Sequence, residues 1–185
     1  PGAAGLRLGL FLFGISVFLV LLLAKEKNHN TVMKKKRIFD PSSLPTRGKK
    51  TGAVRIFAGK WKRTPLPVID LDGLRPTGNR IRETVFDWLT FLLGGYSGKR
   101  ALDMFAGSGA LGLEALSRYA AGATLIEMDR AVSQQLIKNL ATLKAGNARV
   151  VNSNAMSFLA QKGTPHNIVF VDPPFRRGLL EETIN

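Results

Sequence analysis

Three kinds of hydrophobic pattern divide the chain. From Leu8 to Ala24 the run "LGLFLFGISVFLVLLLA" carries no charge, and as one helix it measures about 25 Å, slightly short of a hydrocarbon core. Residues 54–68 alternate instead: Val54, Ile56 and Ala58 share one face and Arg55 the other, a strand that turns at Gly59–Lys60. Then Ile81, Val85, Trp88, Leu89 and Leu92 recur at helical spacing, with Thr77 as the expected cap and Gly94–Gly95 as the stop. Trp88 is expected in the core.

Beyond Lys99 the pattern changes again. Ala101 to Phe105, Ala123 to Ile126, the start of "ARVVNSNAMSFLAQ" and Ile168 to Val171 read as short strands, each of the first three followed by a helical segment. The order β-α-β-α-β-α-β predicts an open, mostly parallel sheet with right-handed crossovers. A small basic hairpin and helix (residues 54–95) precede this core (residues 96–185).

Composition narrows the chemistry. With no cysteine and two histidines, the chain has no disulfide framework and no Cys/His zinc site, so no metal is expected. A Ser-His-Asp triad would have to use His166, which reads as a solvated residue leading into the last strand. The net charge is +14: residues 1–51 hold ten Lys/Arg against two Asp/Glu, and the remainder 17 against 11. That excess favours a polyanionic partner. Residues 33–53, opening "MKKKRIFDPSSLPTRGKKTG", read as a flexible basic linker. Because the first Met is Met33, residues 1–32 are expected to be an upstream extension, with a membrane anchor as the other reading of residues 8–24.

The first core strand runs into Gly107, Gly109 and Gly112, a G-x-G-x-x-G turn that opens a helix at about Ala110. Glycines let a ligand approach the backbone, and the helix start offers unpaired N–H groups. Glu127, at the tip of the second strand, is placed for ribose hydroxyls. The turn suits a dinucleotide or S-adenosyl-L-methionine equally well. Asp103, just ahead of it, favours the latter, because a carboxylate suits an ammonium and not a pyrophosphate.

The last strand ends in "VDPPF". Prolines cannot extend a ladder, so the tip is rigid and its carbonyls are free to accept. An exocyclic amine on a nucleobase is a weak nucleophile. The Asp172 carboxylate and the Pro173 carbonyl can hold its two hydrogens and aim its lone pair, with Phe175 stacked on the ring. In a doubly wound sheet this tip and the glycine turn flank the switch point, where ligands bind.

Taken together, "LRPTGNRIRETVFDWL", "ALDMFAGSGALGLEALSR", "TLIEMD" and "VFVDPPF" resemble the RsmD family of small-subunit ribosomal RNA guanine-N2 methyltransferases, from about Val54 to Asn185. The resemblance implies a Rossmann-like class I fold and S-adenosyl-L-methionine as donor. It also implies the small ribosomal subunit or its RNA as partner, and a cytoplasmic location. It assigns cofactor contacts to Asp103, Phe105, Gly107, Gly109, Glu127, Met128, Asn154 and Ala155, and base binding to Asp172, Pro173, Pro174 and Phe175. The RNA-facing cations are expected at Arg55, Lys60, Lys62, Arg63, Arg75, Arg80 and Arg82. Asn154 stands where relatives often carry an Asp. The chain also stops 13 residues after Asp172, short of three further family strands, so a truncated C-terminus and an unpaired last strand are expected. An adenine-N6 or DNA amino-methyltransferase shares the Asp-Pro-Pro-Phe chemistry. A nicotinamide-dependent oxidoreductase would leave that tip idle, and a non-catalytic RNA-binding or membrane-tethered protein would leave both ligand motifs idle.

Overall fold

The computed structural model describes residues 6–13, 16–23, 52–69 and 78–173. Its core is a sheet of order β1-β2-β8-β5-β6-β7. Four of these strands are parallel: β5 (Arg100–Asp103), β6 (Gly122–Glu127), β7 (Ala148–Asn152) and β8 (Ile168–Val171). Central β5 is flanked by β6 on one side and β8 on the other, so strand order reverses beside it. Helices α1 (Asn79–Leu93), α2 (Ala110–Ser117) and α3 (Arg130–Thr142) bury their apolar residues with Ala101, Ile168 and Phe170 on one face of the sheet. On the other face Leu102, Met104, Ile126 and Val171 cluster with Ala155 of α4 (Ala155–Leu159).

The alternation in residues 54–68 folds as expected into the hairpin β3 (Ala53–Arg55) and β4 (Pro65–Pro67), with Val54, Ile56 and Leu66 buried. Asp129 caps α3 by accepting from the N–H groups of Ala131 and Val132. Helix α1 ends at Gly94 in the left-handed conformation, φ 64°, as the double glycine predicts.

Four expectations change. Helix α1 starts after Gly78 with no side-chain cap, and Thr77 lies outside the described residues. Its buried stripe is Arg82, Val85, Phe86 and Leu89, whereas Trp88 and Leu92 are exposed. Phe86 takes the central place because its ring packs on Phe170 and Tyr96, with centroids 5.7 and 6.0 Å away. His166 is buried, its Nε2 3.4 Å from the Thr124 hydroxyl, and burial together with Arg100 and Arg149 lowers its pKa.

The fourth change concerns the apolar start. In place of one helix, the segment holds strands β1 (Leu6–Phe13) and β2 (Ser16–Leu23), paired antiparallel. Strand β2 then pairs antiparallel with β8, Leu19 opposite Val171 and Leu22 opposite Ile168. Strand β8 is therefore not an edge. The β-branched and aromatic content of residues 11–20 suits strands, and an open ladder accepts such a partner. Among the described residues no helix is long and apolar enough to cross a membrane.

Phe170 is fully buried at the junction of α1 and the sheet. Its replacement by Ala is expected to cost about 3–5 kcal/mol of stability. Urea denaturation checks this, and a loss under roughly 1 kcal/mol would mean that the ring lies off the core.

Candidate active site

Register places three carboxylates at one end of the sheet. Asp103 ends β5, paired with Leu125 on β6 and Phe170 on β8. Glu127 and Asp172 each lie two residues further along those neighbours, so they stand at the strand tips with Asp103 beneath them. The backbone then leaves β5 through Phe105 and Ala106 into the glycine turn.

That turn is held by two of the acids. Gly107, φ 50°, donates its N–H to Glu127 Oε2 at 2.8 Å, while Glu127 Oε1 accepts from Asp129 N–H at 2.8 Å. One carboxylate thus ties the turn to the tip of β6. Asp103 Oδ2 accepts from the Gly112 N–H at 3.0 Å, fixing the first turn of α2 against β5. Gly109 caps α2 at φ 75°. A Cβ there would lie 2.6 Å from the Leu136 side chain, so both conformation and space require glycine. At Gly112 a Cβ would come within 3.1 Å of Leu125 and 3.4 Å of Asp103 Oδ2. The third glycine sets how closely helix and sheet approach.

Asp103 is 1% exposed, and among the described residues its Oδ1 has no partner at hydrogen-bond distance. Burial raises its pKa to about 7; the Gly112 N–H opposes the rise, and the negative charges of Asp172 and Glu127 add to it. A buried carboxylate with an idle oxygen beside two further acids is a site that calls for a cation.

On the far side, Asn154 caps α4. Its Oδ1 accepts from the Met156 N–H at 2.8 Å and, more weakly, from Ser157. That oxygen is therefore engaged within the helix start, which leaves the amide NH2 for any ligand. Buried Ala155 opens α4, where first-turn N–H groups have no intrahelical acceptor. Met128 is exposed beyond Glu127, and Phe105 is half-buried. Pro173 is half-buried next to Asp172, while Pro174 and Phe175 lie outside the described residues.

The expected RNA-facing cations divide. Arg55, Lys60, Lys62, Arg63 and Arg80 are exposed, and Arg75 lies outside the described residues. Arg82 is the correction: it is 1% exposed. Its Nη2 donates to Arg55 O at 3.2 Å and Asn79 Oδ1 at 2.9 Å, and its guanidinium lies 4.4 Å from the centre of the Phe57 ring. Burial lowers its pKa to about 10, against the pull of Glu114 and Glu83. Helical spacing put it beside Arg80 on paper, but a two-residue step turns the side chain about 200° around the helix and into the core.

Glu114 and Ser117 were not singled out by motif reading, yet both are fully buried on α2. The signal was present. Glu114 is the lone acid in an otherwise apolar eight-residue helix, and such a charge must have partners.

Comparison with known proteins decides the class. The family model described as Conserved hypothetical protein 95 matches residues 54–185. A ribosomal RNA small subunit methyltransferase D of Escherichia coli is 77% identical over 135 residues, covering 73% of this chain and 67% of the relative. The Haemophilus influenzae protein of the same name is 48% identical over 138 residues, covering 72% and 70%. The chain belongs to the RsmD family. The solved structure of Escherichia coli yhhF superimposes with a TM-score of 0.65 at 75% identity, covering 72% of this chain and 71% of that one. The RsmD fold expected from the motifs is therefore present, a Rossmann-like α/β methyltransferase. The RsmD chain is an enzyme, and methyltransferases of this family imply S-adenosylmethionine as the donor.

The Asp103 geometry predicts a pH dependence for the cofactor. Below about pH 7 the folded protein holds a proton on Asp103, and a cationic ammonium then meets a neutral acid. Affinity for S-adenosylhomocysteine should rise up to about tenfold per unit as pH climbs towards 7, then fall above about 8 as the ligand's own amine loses its proton. Calorimetric titration checks this, and Asp103→Asn should weaken binding and flatten the rise. For folding the sign is opposite. Asp103 favours the native state below its unfolded pKa, and that contribution is lost as pH rises through about 7.

Proposed function

We propose that this protein methylates the exocyclic N2 amine of a guanine in small-subunit ribosomal RNA, in the cytoplasm, on the ribosomal particle. The observation that carries the reading is the meeting of Asp103, Glu127 and Asp172 on adjacent parallel strands, beside the glycine turn, in an RsmD-family chain.

Each residue has a task in this reading. Asp103 Oδ1 takes the ammonium of the methionine moiety, and Glu127 accepts from the ribose hydroxyls with the lone pairs its backbone bonds leave open. Gly107 and Gly109 let the donor lie against the turn. Phe105 and Met128 supply apolar contact, and the Ala155 N–H and Asn154 amide face the adenine edge. Bound S-adenosylmethionine supplies an electrophilic methyl group. The protein's share is alignment and electrostatics. The Asp172 carboxylate and Pro173 carbonyl accept the two amine hydrogens and turn the lone pair towards that methyl. Pro174 stiffens the tip, and Phe175 stacks on a base that has left its helix. The N–CH3 bond would form as the S–CH3 bond breaks, leaving neutral S-adenosylhomocysteine, and Asp172 would be the adjacent acceptor for the proton the amine sheds.

Exposed Arg55, Lys60, Lys62, Arg63 and Arg80, with Arg75 ahead of α1, provide the phosphate contacts of this reading. Lys60 also lies over the Trp61 ring at 4.1 Å, which presents a mixed cationic and aromatic surface suited to single-stranded RNA.

The test uses protein made from its own gene, labelled S-adenosylmethionine and unmethylated small subunits, followed by nucleoside mass spectrometry. N2-methylguanosine is the expected product, whereas N6-methyladenosine would move the enzyme to the adenine class. Asp172→Ala should reduce transfer by at least about 100-fold while S-adenosylhomocysteine still binds. Loss of that binding too would make Asp172 structural.

A further inference from the structure

The loop that carries Lys60, Lys62 and Arg63 is joined to the cofactor-binding helix by its main chain. Phe57 N–H donates to Glu114 Oε2 at 2.8 Å, and Ala58 N–H to Glu114 Oε1 at 3.1 Å. Lys60 N–H donates to Ser117 O at 2.8 Å, and Trp61 N–H to Ser117 Oγ at 3.0 Å, while the Ser117 hydroxyl donates to Ala58 O. Four N–H groups within five residues therefore end on two residues of α2. Gly59 lies so close that a Cβ would meet Ser117 O at 1.7 Å. Arg118 Nε closes the network with a 2.8 Å ion pair to Glu114 Oε1.

We propose that Glu114 is a positioning residue for the RNA substrate: with Ser117 it locks the basic loop onto the helix whose first turn borders the cofactor site. The inference rests on the reading that Lys60, Lys62 and Arg63 contact RNA. Glu114 is fully buried, and its charge is met by two backbone N–H groups and one guanidinium. A hydrophobic residue would fill the same space, but it could not answer the N–H groups of Phe57 and Ala58. Arg82 serves the same end from the other side, holding the β3 carbonyl of Arg55 and packing on Phe57. Only main-chain atoms are used in the loop bonds, which leaves the cationic side chains at 60, 62 and 63 exposed. A loop held this way offers its charges at a fixed distance from the strand tips, so RNA binding energy goes into placing the base.

Glu114→Gln puts an amide NH2 towards one of two N–H donors and ends the ion pair. Gly59→Ala pushes the loop off α2 without changing any charge. Both are expected to raise KM for unmethylated small subunits roughly tenfold. The kcat at saturating particle should change less than about twofold, and S-adenosylhomocysteine affinity should be unaltered. The triple variant Lys60→Ala, Lys62→Ala, Arg63→Ala should raise KM as well and flatten its salt dependence. Adding Glu114→Gln to that triple variant should then have little further effect. Full additivity, or an unchanged KM in Glu114→Gln beside a raised one in the triple variant, overturns the positioning role alone. An unchanged KM in the triple variant overturns the RNA-contact reading of the loop, and this proposal with it. Loss of cofactor affinity in both Glu114→Gln and Gly59→Ala would make the clamp a folding element only.

Discussion

A carboxylate taken out of water must find donors, and around α2 that constraint is met three times by main-chain N–H groups. Asp103 takes the N–H of Gly112, Glu127 those of Gly107 and Asp129, and Glu114 those of Phe57 and Ala58. Apart from the Asp129 bond, which ties the tip of β6 to the start of α3, each joins α2 or its glycine turn to a different element: central strand, neighbouring strand, basic hairpin. These bonds act together with main-chain bonds such as Ala106 N–H to Ile126 O, at 2.9 Å, in setting the turn on the sheet. The apolar contacts beneath are many but slide easily, whereas N–H to carboxylate bonds fix direction.

The same constraint explains why chemistry collects at one end of the sheet. Parallel strands deliver their terminal residues side by side: β5 and β6 end in an acid, and Asp172 directly follows β8. Three negative groups so close would repel, and part of that repulsion appears in the raised pKa of Asp103. Among the described residues its Oδ1 has no partner at hydrogen-bond distance, and leaving a buried polar atom so costs free energy.

Much of this was legible in the chain. The four parallel strands and α2 and α3 follow their apolar runs closely, because each contributes apolar residues to the two clusters that sandwich the sheet. The glycine turn and the Asp172 tip were visible because rigid backbone chemistry needs particular residue types. What was not legible has a common cause: contacts between residues more than 20 apart. Arg82 reads as one more cation in a basic stretch until Phe57 and Arg55 arrive over it. Glu114 reads as helix surface until the hairpin covers it. Trp88 reads as core by spacing, but Phe86 already holds the contact with Phe170. The apolar start offered no periodicity to separate helix from strand, and the open side of β8 decided between them.

Helix α2 has eight residues, about 12 Å from the glycine turn at its head to the hairpin loop at its tail. It is thus a ruler with a ligand site at one end and a basic loop at the other. Inserting or deleting one residue within it would shift the tail by about 1.5 Å and rotate it by about 100°, detaching Ser117 from the loop. Length variation is therefore closed to α2, whose residue count is itself a dimension of the enzyme.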